Sequence, residues 1–428
     1  MIQQYKGLPR PIYLLSIARM ITAMGMFIYP FLSLLLNTRL GYNEFQIGQV
    51  MLYIAVANII GTLLAGKLAD RFGRKKIYLY ALIGCIASLF IGGFVCEQFL
   101  IVPVVVLVYF FVSMTMPVLA AMITDLSDEN NRRECFSLLY LSTNIGFSMG
   151  PLIAGMLFYN YTSWIFWGQG ISCMITAFIV YFTINDTMPE PLLNFTKEEN
   201  DEDNRKDAAL KDKKREDAQK SLFFLLLERP ILMYFVFCLA VLTFCYIEVD
   251  FILPLQVKDI FGVEAGAKYF GIISACNGFV VVIASPILVL MTKKKEPLFN
   301  MFIAAFLYAA GFGFYALTRS LLLYMVFVAI WTSGEILIST CSGEYIASHS
   351  PESHRARFQS LYEFARGVGK AFGPLVFGIF LLSHSIEEAW ILIAWICILT
   401  GIILFILYKI ERKMKYNMKN NKNAKNIA

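Results

Sequence analysis

Apolar stretches of twenty or more residues recur from Pro11 almost to the C-terminus, separated mostly by short polar turns. A helix needs about 20 residues to cross the roughly 30 Å hydrocarbon layer of a bilayer, and each stretch meets that length. The pattern predicts helices at 11–36, 45–66, 75–95, 99–124, 134–158, 162–184, 230–256, 267–291, 297–317, 321–347, 358–382 and 387–409. The fold class is therefore an all-α membrane protein with twelve transmembrane helices. One long hydrophilic segment, Asn185 to Lys220, interrupts the series. Its mixed charges and few apolar side chains read as a solvated linker, with room for a surface helix over its second part.

The helices on either side of that linker resemble each other. "FIYPFL" at Phe27–Leu32 matches "FILPLQ" at Phe251–Gln256, and "GFSMGPLIAG" at Gly146–Gly155 matches "GKAFGPLVFG" at Gly369–Gly378. Upstream of the second pair, Arg133 and Phe136 match Arg355 and Phe358. A near-constant offset points to two pseudo-symmetric six-helix halves, the plan of many transporters. The expected organisation is a first half at 1–184, a cytoplasmic linker at 185–229, a second half at 230–410 and a basic tail at 411–428.

Composition agrees with this reading. The 428 residues are 58% hydrophobic and 16% charged, with a mean hydropathy of +0.63, too apolar for a soluble chain of this length. The first apolar run follows only Lys6 and Arg10 and lacks a small-residue cleavage site, so it is expected to stay as helix one. Of the 37 Lys and Arg, only Arg39, Lys258, Lys268 and Arg319 fall in the loops on one side, and Arg19, Arg366 and Lys370 fall within spans. All the others share the opposite side, which places both termini in the cytoplasm and the protein in the cell membrane. The net charge of +6 is an orientation signal, not a nucleic-acid footprint. The tail "KIERKMKYNMKNNKNAK" anchors that orientation and can touch anionic lipid.

Several chemistries find no support. The nine cysteines form no CxxC, and the three histidines show no metal-ligand spacing and no HExxH. No GxxxxGK[ST] loop marks ATP as an energy source. Neither an enzyme, a metal nor a cofactor is expected.

Charges inside the spans carry the functional signal. Glu335 stands alone near the middle of "YMVFVAIWTSGEILISTCS", where an isolated ionised group costs on the order of 3 kcal/mol or more. It requires a partner, a proton or a water-filled cavity. Glu248 and Asp250 lie in the outer part of helix seven, on different faces by helical geometry, while Glu344 and Glu363 approach the cytoplasmic ends. Glu363, Arg366 and Lys370 share a face of helix eleven, either as a salt-bridge ladder or as a site for an anionic substrate group.

The loop "GKLADRFGRKK", Gly66 to Lys76, is a tight turn in which Gly66 and Gly73 permit close approach, Asp70 can cap a helix and Arg71, Arg74, Lys75 and Lys76 hold the loop inside. It resembles the signature loop of the major facilitator superfamily. The resemblance implies a latch in which Asp70 caps a helix of the opposite half and Arg74 pairs with Asp125. The equivalent second-half loop, "SPILVLMTKKKEP", has no Asp, so the latch is one-sided. Gly146, Gly150 and Pro151 resemble the antiporter motif of drug-exporting facilitators, and with Gly369, Gly373 and Pro374 they serve as hinges or as close-packing surfaces. Arg19 in "SIARMITAMGMFIYP" is similar to a branch of multidrug facilitators with Arg in the first helix, and "SGEIL" around Glu335 resembles an acid of helix ten in several of them.

The resulting expectation is a monomeric proton-driven antiporter of the multidrug kind, exporting lipophilic cations, with Glu335 exchanging protons, helped by Asp250 or Glu248. The alternatives are a facilitator moving an anionic metabolite held by Arg19, Arg366 and Lys370, or a membrane sensor that transports nothing.

Overall fold

The computed structural model describes residues 5–128, 131–187, 230–293, 295–349 and 355–425; the surface helix anticipated in the linker lies outside them. Twelve membrane-length helices follow in order: α1 (Arg10–Leu40), α2 (Glu44–Phe72), α3 (Arg74–Val95), α4 (Ile101–Leu126), α5 (Arg132–Leu157), α6 (Thr162–Thr183), α7 (Pro230–Phe261), α8 (Val263–Thr292), α9 (Pro297–Leu317), α10 (Leu321–His349), α11 (Arg355–Phe380) and α12 (Ile386–Lys425). Helix is the expected solution here, because it satisfies every backbone group within the segment where no water is available.

Ten of these are long and strongly apolar. The remaining two, α5 and α11, are equally long but more polar, and they are the two helices that carry the repeated GxxxGPxxxG string. Their glycines show why. A Cβ on Gly146 would lie 2.8 Å from Ala23 Cβ, and one on Gly150 would lie 2.8 Å from Met24 O, so α5 packs directly on α1. Gly369 and Gly373 meet α7 in the same way, at Phe244 N and the Ile247–Glu248 corner. Farther along, Gly155 faces Ala267 and Gly271 of α8, while Gly378 faces Glu44 and Phe45 of α2. Each glycine-rich helix therefore binds one helix of its own half and one of the other. Small residues let backbones approach where lipid provides no hydrophobic drive for helix association.

Among the described residues, the close backbone approaches between halves run from the side remote from the termini to mid-span: α1 with α7, α2 with α11, and α5 with α8, the last reaching Gly278 against Ser148. Ser33 donates to Asp250 O at 3.2 Å, Lys258 Nζ to Asn37 Oδ1 at 2.8 Å, and the rings of Phe31 and Phe270 meet edge to face. On the termini side, Tyr140 of α5 comes within side-chain reach of Ser339 of α10. Among the described residues, the structure is thus sealed on one side and parted on the other.

Both first helices of the halves are interrupted near mid-span. The α1 path breaks between Met24 and Ile28, at Gly25 and ahead of Pro30, whose missing N–H cannot extend the ladder. The buried amides of Phe27 and Ile28, freed by the break, donate to Gln169 Oε1 of α6 at 3.2 and 3.3 Å. In the second half, α7 breaks at Ile247, between Pro230–Tyr246 and Glu248–Phe261. Broken helices at mid-membrane are where transporters of this general design build their sites.

Candidate functional site

Glu335 projects from α10 into a cavity of about 60 Å³ bounded by α7, α9, α10 and α11. Its side chain is half-buried. Tyr246, the last residue before the α7 break, donates its hydroxyl to Glu335 Oε1 at 3.1 Å, and Asn277 of α8 donates to Oε2 at 2.9 Å. Asn277 also reaches Thr332 Oγ1 at 2.9 Å, which fixes its amide. Two neutral donors hold the carboxylate without neutralising it, and among the described residues no cation lies within ion-pair distance. The cavity holds a few waters or a small cationic group, not a drug-sized molecule.

Arg366 and Lys370 line the same cavity. Glu363 and Arg366 form the expected i,i+3 contact at 3.8 Å, and the Arg366 guanidinium also donates to Tyr362 OH at 3.2 Å. Lys370 departs from the ladder: it makes no such contact with Glu363 and is accessible in the cleft, within electrostatic reach of Asp250 and Glu335. Asp250 is half-buried and shares this field with Tyr29 of α1. Glu248, by contrast, is fully buried and lies outside the cavity lining. Glu344 is an exposed residue toward the termini-side end of α10.

Arg19 lies in the first half, 9% exposed, donating to Thr143 Oγ1 of α5 at 3.2 Å. No carboxylate of the described residues pairs with it. A larger groove of about 760 Å³ opens on the sealed side between Arg39 and Trp164; the terminal nitrogens of Arg39 are held there by Glu97, Tyr159 O and Thr162, while its Nε is buried without a hydrogen-bond partner.

The signature loop differs from the expectation in two respects. Arg74 does pair with Asp125, and lies 3.9 Å from Asp70. Asp70, however, is three-quarters exposed and caps no helix of the described residues; the amides of Arg74 and Lys75 donate to Asp186 Oδ1 at 3.1 and 3.4 Å. Asp186 therefore caps α3, beside Gly73, whose φ of +98° supplies the turn. Gly66 faces open space, not a neighbouring backbone. Of the functional contacts, Asn277, Tyr246 and Asp186 escape sequence reasoning, since each meets its partner across a long sequence separation.

A scaffold of two such halves with a charged mid-membrane site is that of a secondary transporter. The Major Facilitator Superfamily profile matches residues 15–374, and the chain belongs to that family. It is similar to a Na(+), Li(+), K(+)/H(+) antiporter of Planococcus maritimus, 22% identical over 87% of this chain and 88% of the relative. It is also similar to the MFS-type transporter YhjO of Bacillus subtilis (strain 168), 28% identical over 94% of this chain and 95% of the relative. Among solved structures, the peptide transporter POT in complex with sulfate superposes with a TM-score of 0.72 at 15% identity, covering 94% of this chain and 95% of that one. At that identity the likeness shows the fold alone.

Proposed function

We propose that this transporter is a proton-coupled antiporter that exports lipophilic cations across the cell membrane, with both termini in the cytoplasm. The observation that carries the reading is Glu335: a mid-membrane carboxylate held by two neutral donors, without a salt-bridge partner among the described residues, in a cavity on the parted side of the molecule. Such a group can accept a proton or the positive charge of a substrate, and ionised without either it is costly. Mutually exclusive occupancy of one carboxylate is sufficient for exchange. In the state seen here, substrate enters from the termini side while the proton leaves; rocking of the halves then exposes Glu335 to the opposite side, where a proton displaces the substrate.

In this reading Glu335 takes the charged group of a substrate, which suits the small volume beside it, and the apolar bulk occupies the space between the parted halves. Asp250 supports the same field, and the Arg74–Asp125 pair stabilises the first-half end of the latch. The cation/proton exchange of the Planococcus relative fits this chemistry. One observation favours a second reading: Arg366 and Lys370 face the cavity, and Arg19 has no acidic partner among the described residues, so a carboxylate-bearing substrate would also find cations there. Purified protein in liposomes, given an imposed proton gradient and a fluorescent lipophilic cation, separates the two. Accumulation that follows the gradient supports export of cations; indifference to the cation, with uptake of anionic metabolites that Lys370→Ala and Arg19→Ala abolish, supports the second.

A further inference from the structure

Glu248 opens the second segment of α7 and is 0% exposed, yet neither carboxyl oxygen has a hydrogen-bond partner among the described residues. Its Oε1 occupies the space left by Gly373 of α11, 2.6 Å from where a Cβ there would stand. Two contacts of the sealed seam flank it. On one side, two residues along α7, Asp250 O accepts from Ser33 of α1 at 3.2 Å. On the other, Pro374, next to Gly373, meets Gly48 of α2. The titratable groups around Glu248 are Cys245 and Asp250 of its own helix and Tyr29 of α1; from α11, Lys370 acts on Asp250 and Glu335.

We propose that Glu248 is a second proton-binding site, separate from the Glu335 cavity, whose protonation permits the seam between the halves to close. Within the transport cycle proposed above, on which this rests, the physical logic is short. An ionised carboxylate enclosed with no partner is far less stable than its protonated form, and no cation of the described residues pairs with this one. The closed seam therefore selects protonated Glu248, and by linkage a proton on Glu248 favours the closed seam. Ionisation requires the seam to part and admit water. The proton is taken from, and returned to, the side opposite the termini, so it gates the cycle without adding to the protons exchanged at Glu335.

The test is amide hydrogen exchange on the full-length protein in lipid nanodiscs, read on peptides covering 27–42 and 248–262 at acid and alkaline pD, with the chemical exchange rate divided out. Wild-type seam peptides should exchange several-fold faster at alkaline pD. Glu248→Gln should exchange slowly at both, and Glu335→Gln should keep the wild-type response. A response that survives in Glu248→Gln overturns the proposal, as does one that disappears in Glu335→Gln. If Glu248→Gln does not fold, the Glu335→Gln, Asp250→Asn double variant decides: a retained response supports Glu248, and a lost one overturns it. Proton-driven transport by Glu335→Gln, measured separately, shows whether the antiporter reading itself has failed.

Discussion

The two halves share a scaffold and divide the chemistry. In the first, α5 packs its Gly146 and Gly150 on α1 and its Gly155 on α8; in the second, α11 packs Gly369 and Gly373 on α7 and Gly378 on α2. The helices break at corresponding places, near Gly25 and at Ile247. Yet among the described residues the first half places a cation without an acidic partner, Arg19, at its centre, whereas the second gathers Glu335, Asp250, Glu248, Arg366 and Lys370. The ion pair of the signature loop runs the other way, with Arg74 and Asp125 in the first half. Packing geometry tolerates duplication because both copies need it, while a charge buried at mid-membrane is costly and is not duplicated between the halves.

The sharpest way to break this comparison is to remove the acid that distinguishes the second half. Glu335→Gln is expected to reduce proton-driven transport to the level of empty vesicles, with the protein still folded by size-exclusion chromatography. Removing its holders is the next step down: Tyr246→Phe and Asn277→Ala each take away one of two hydrogen bonds, about 1 kcal/mol or more for a bond to a charged group, so substrate affinity should weaken by several-fold in a binding titration. The shared scaffold is tested by Gly146→Val and Gly369→Val. Each overpacks a helix contact at a cost of about 1–3 kcal/mol, and both should lower the thermal midpoint by a similar few degrees. A large inequality between the two would mean that the halves are not equivalent even in packing.

The latch gives a smaller effect. With the pair in the proposed latch role, Asp125→Asn should slow transport several-fold while leaving substrate binding unchanged, because the pair lies outside the cavity lining. The smallest effect concerns the termini-side end of α10. There His349 Nε2 lies 3.3 Å from Glu411, which also accepts from Tyr345 OH at 2.9 Å and pairs with Lys415. Hydrogen bonding to Glu411 raises the His349 imidazole above its ordinary 6.5. A raised value stabilises the folded form below 6.5, and this contribution is lost as pH rises through the shifted value. His349→Gln should therefore flatten the dependence of thermal stability on pH above 6.5, by less than about 1 kcal/mol for a partly exposed pair.

Much of this architecture was legible in the sequence because its causes are local. Membrane span length is a run of apolar residues, and α9 starts and ends where that run does. The repeat was legible because glycine at a helix contact has no substitute, so "GFSMGPLIAG" and "GKAFGPLVFG" persist while the residues around them diverge. Glu335 stood out because a lone charge in an apolar stretch has few structural uses. What the sequence hid was long-range pairing. The Asn277 and Tyr246 donors come from other helices, Asp186 caps α3 from beyond α6, and Lys370 shares a field with Asp250 of another helix. The length of α12 was also underread: its helix continues past the apolar run to Lys425, through residues whose polarity suits water.

The most direct test of Glu335 as the exchanging group is proton movement driven by substrate alone. Liposomes containing the protein and a trapped pH dye, with no initial pH difference, are given a gradient of a lipophilic cation. The account predicts that wild type moves protons against the cation flow, and that Glu335→Gln moves none above empty vesicles. Proton movement by Glu335→Gln equal to that of wild type would contradict it.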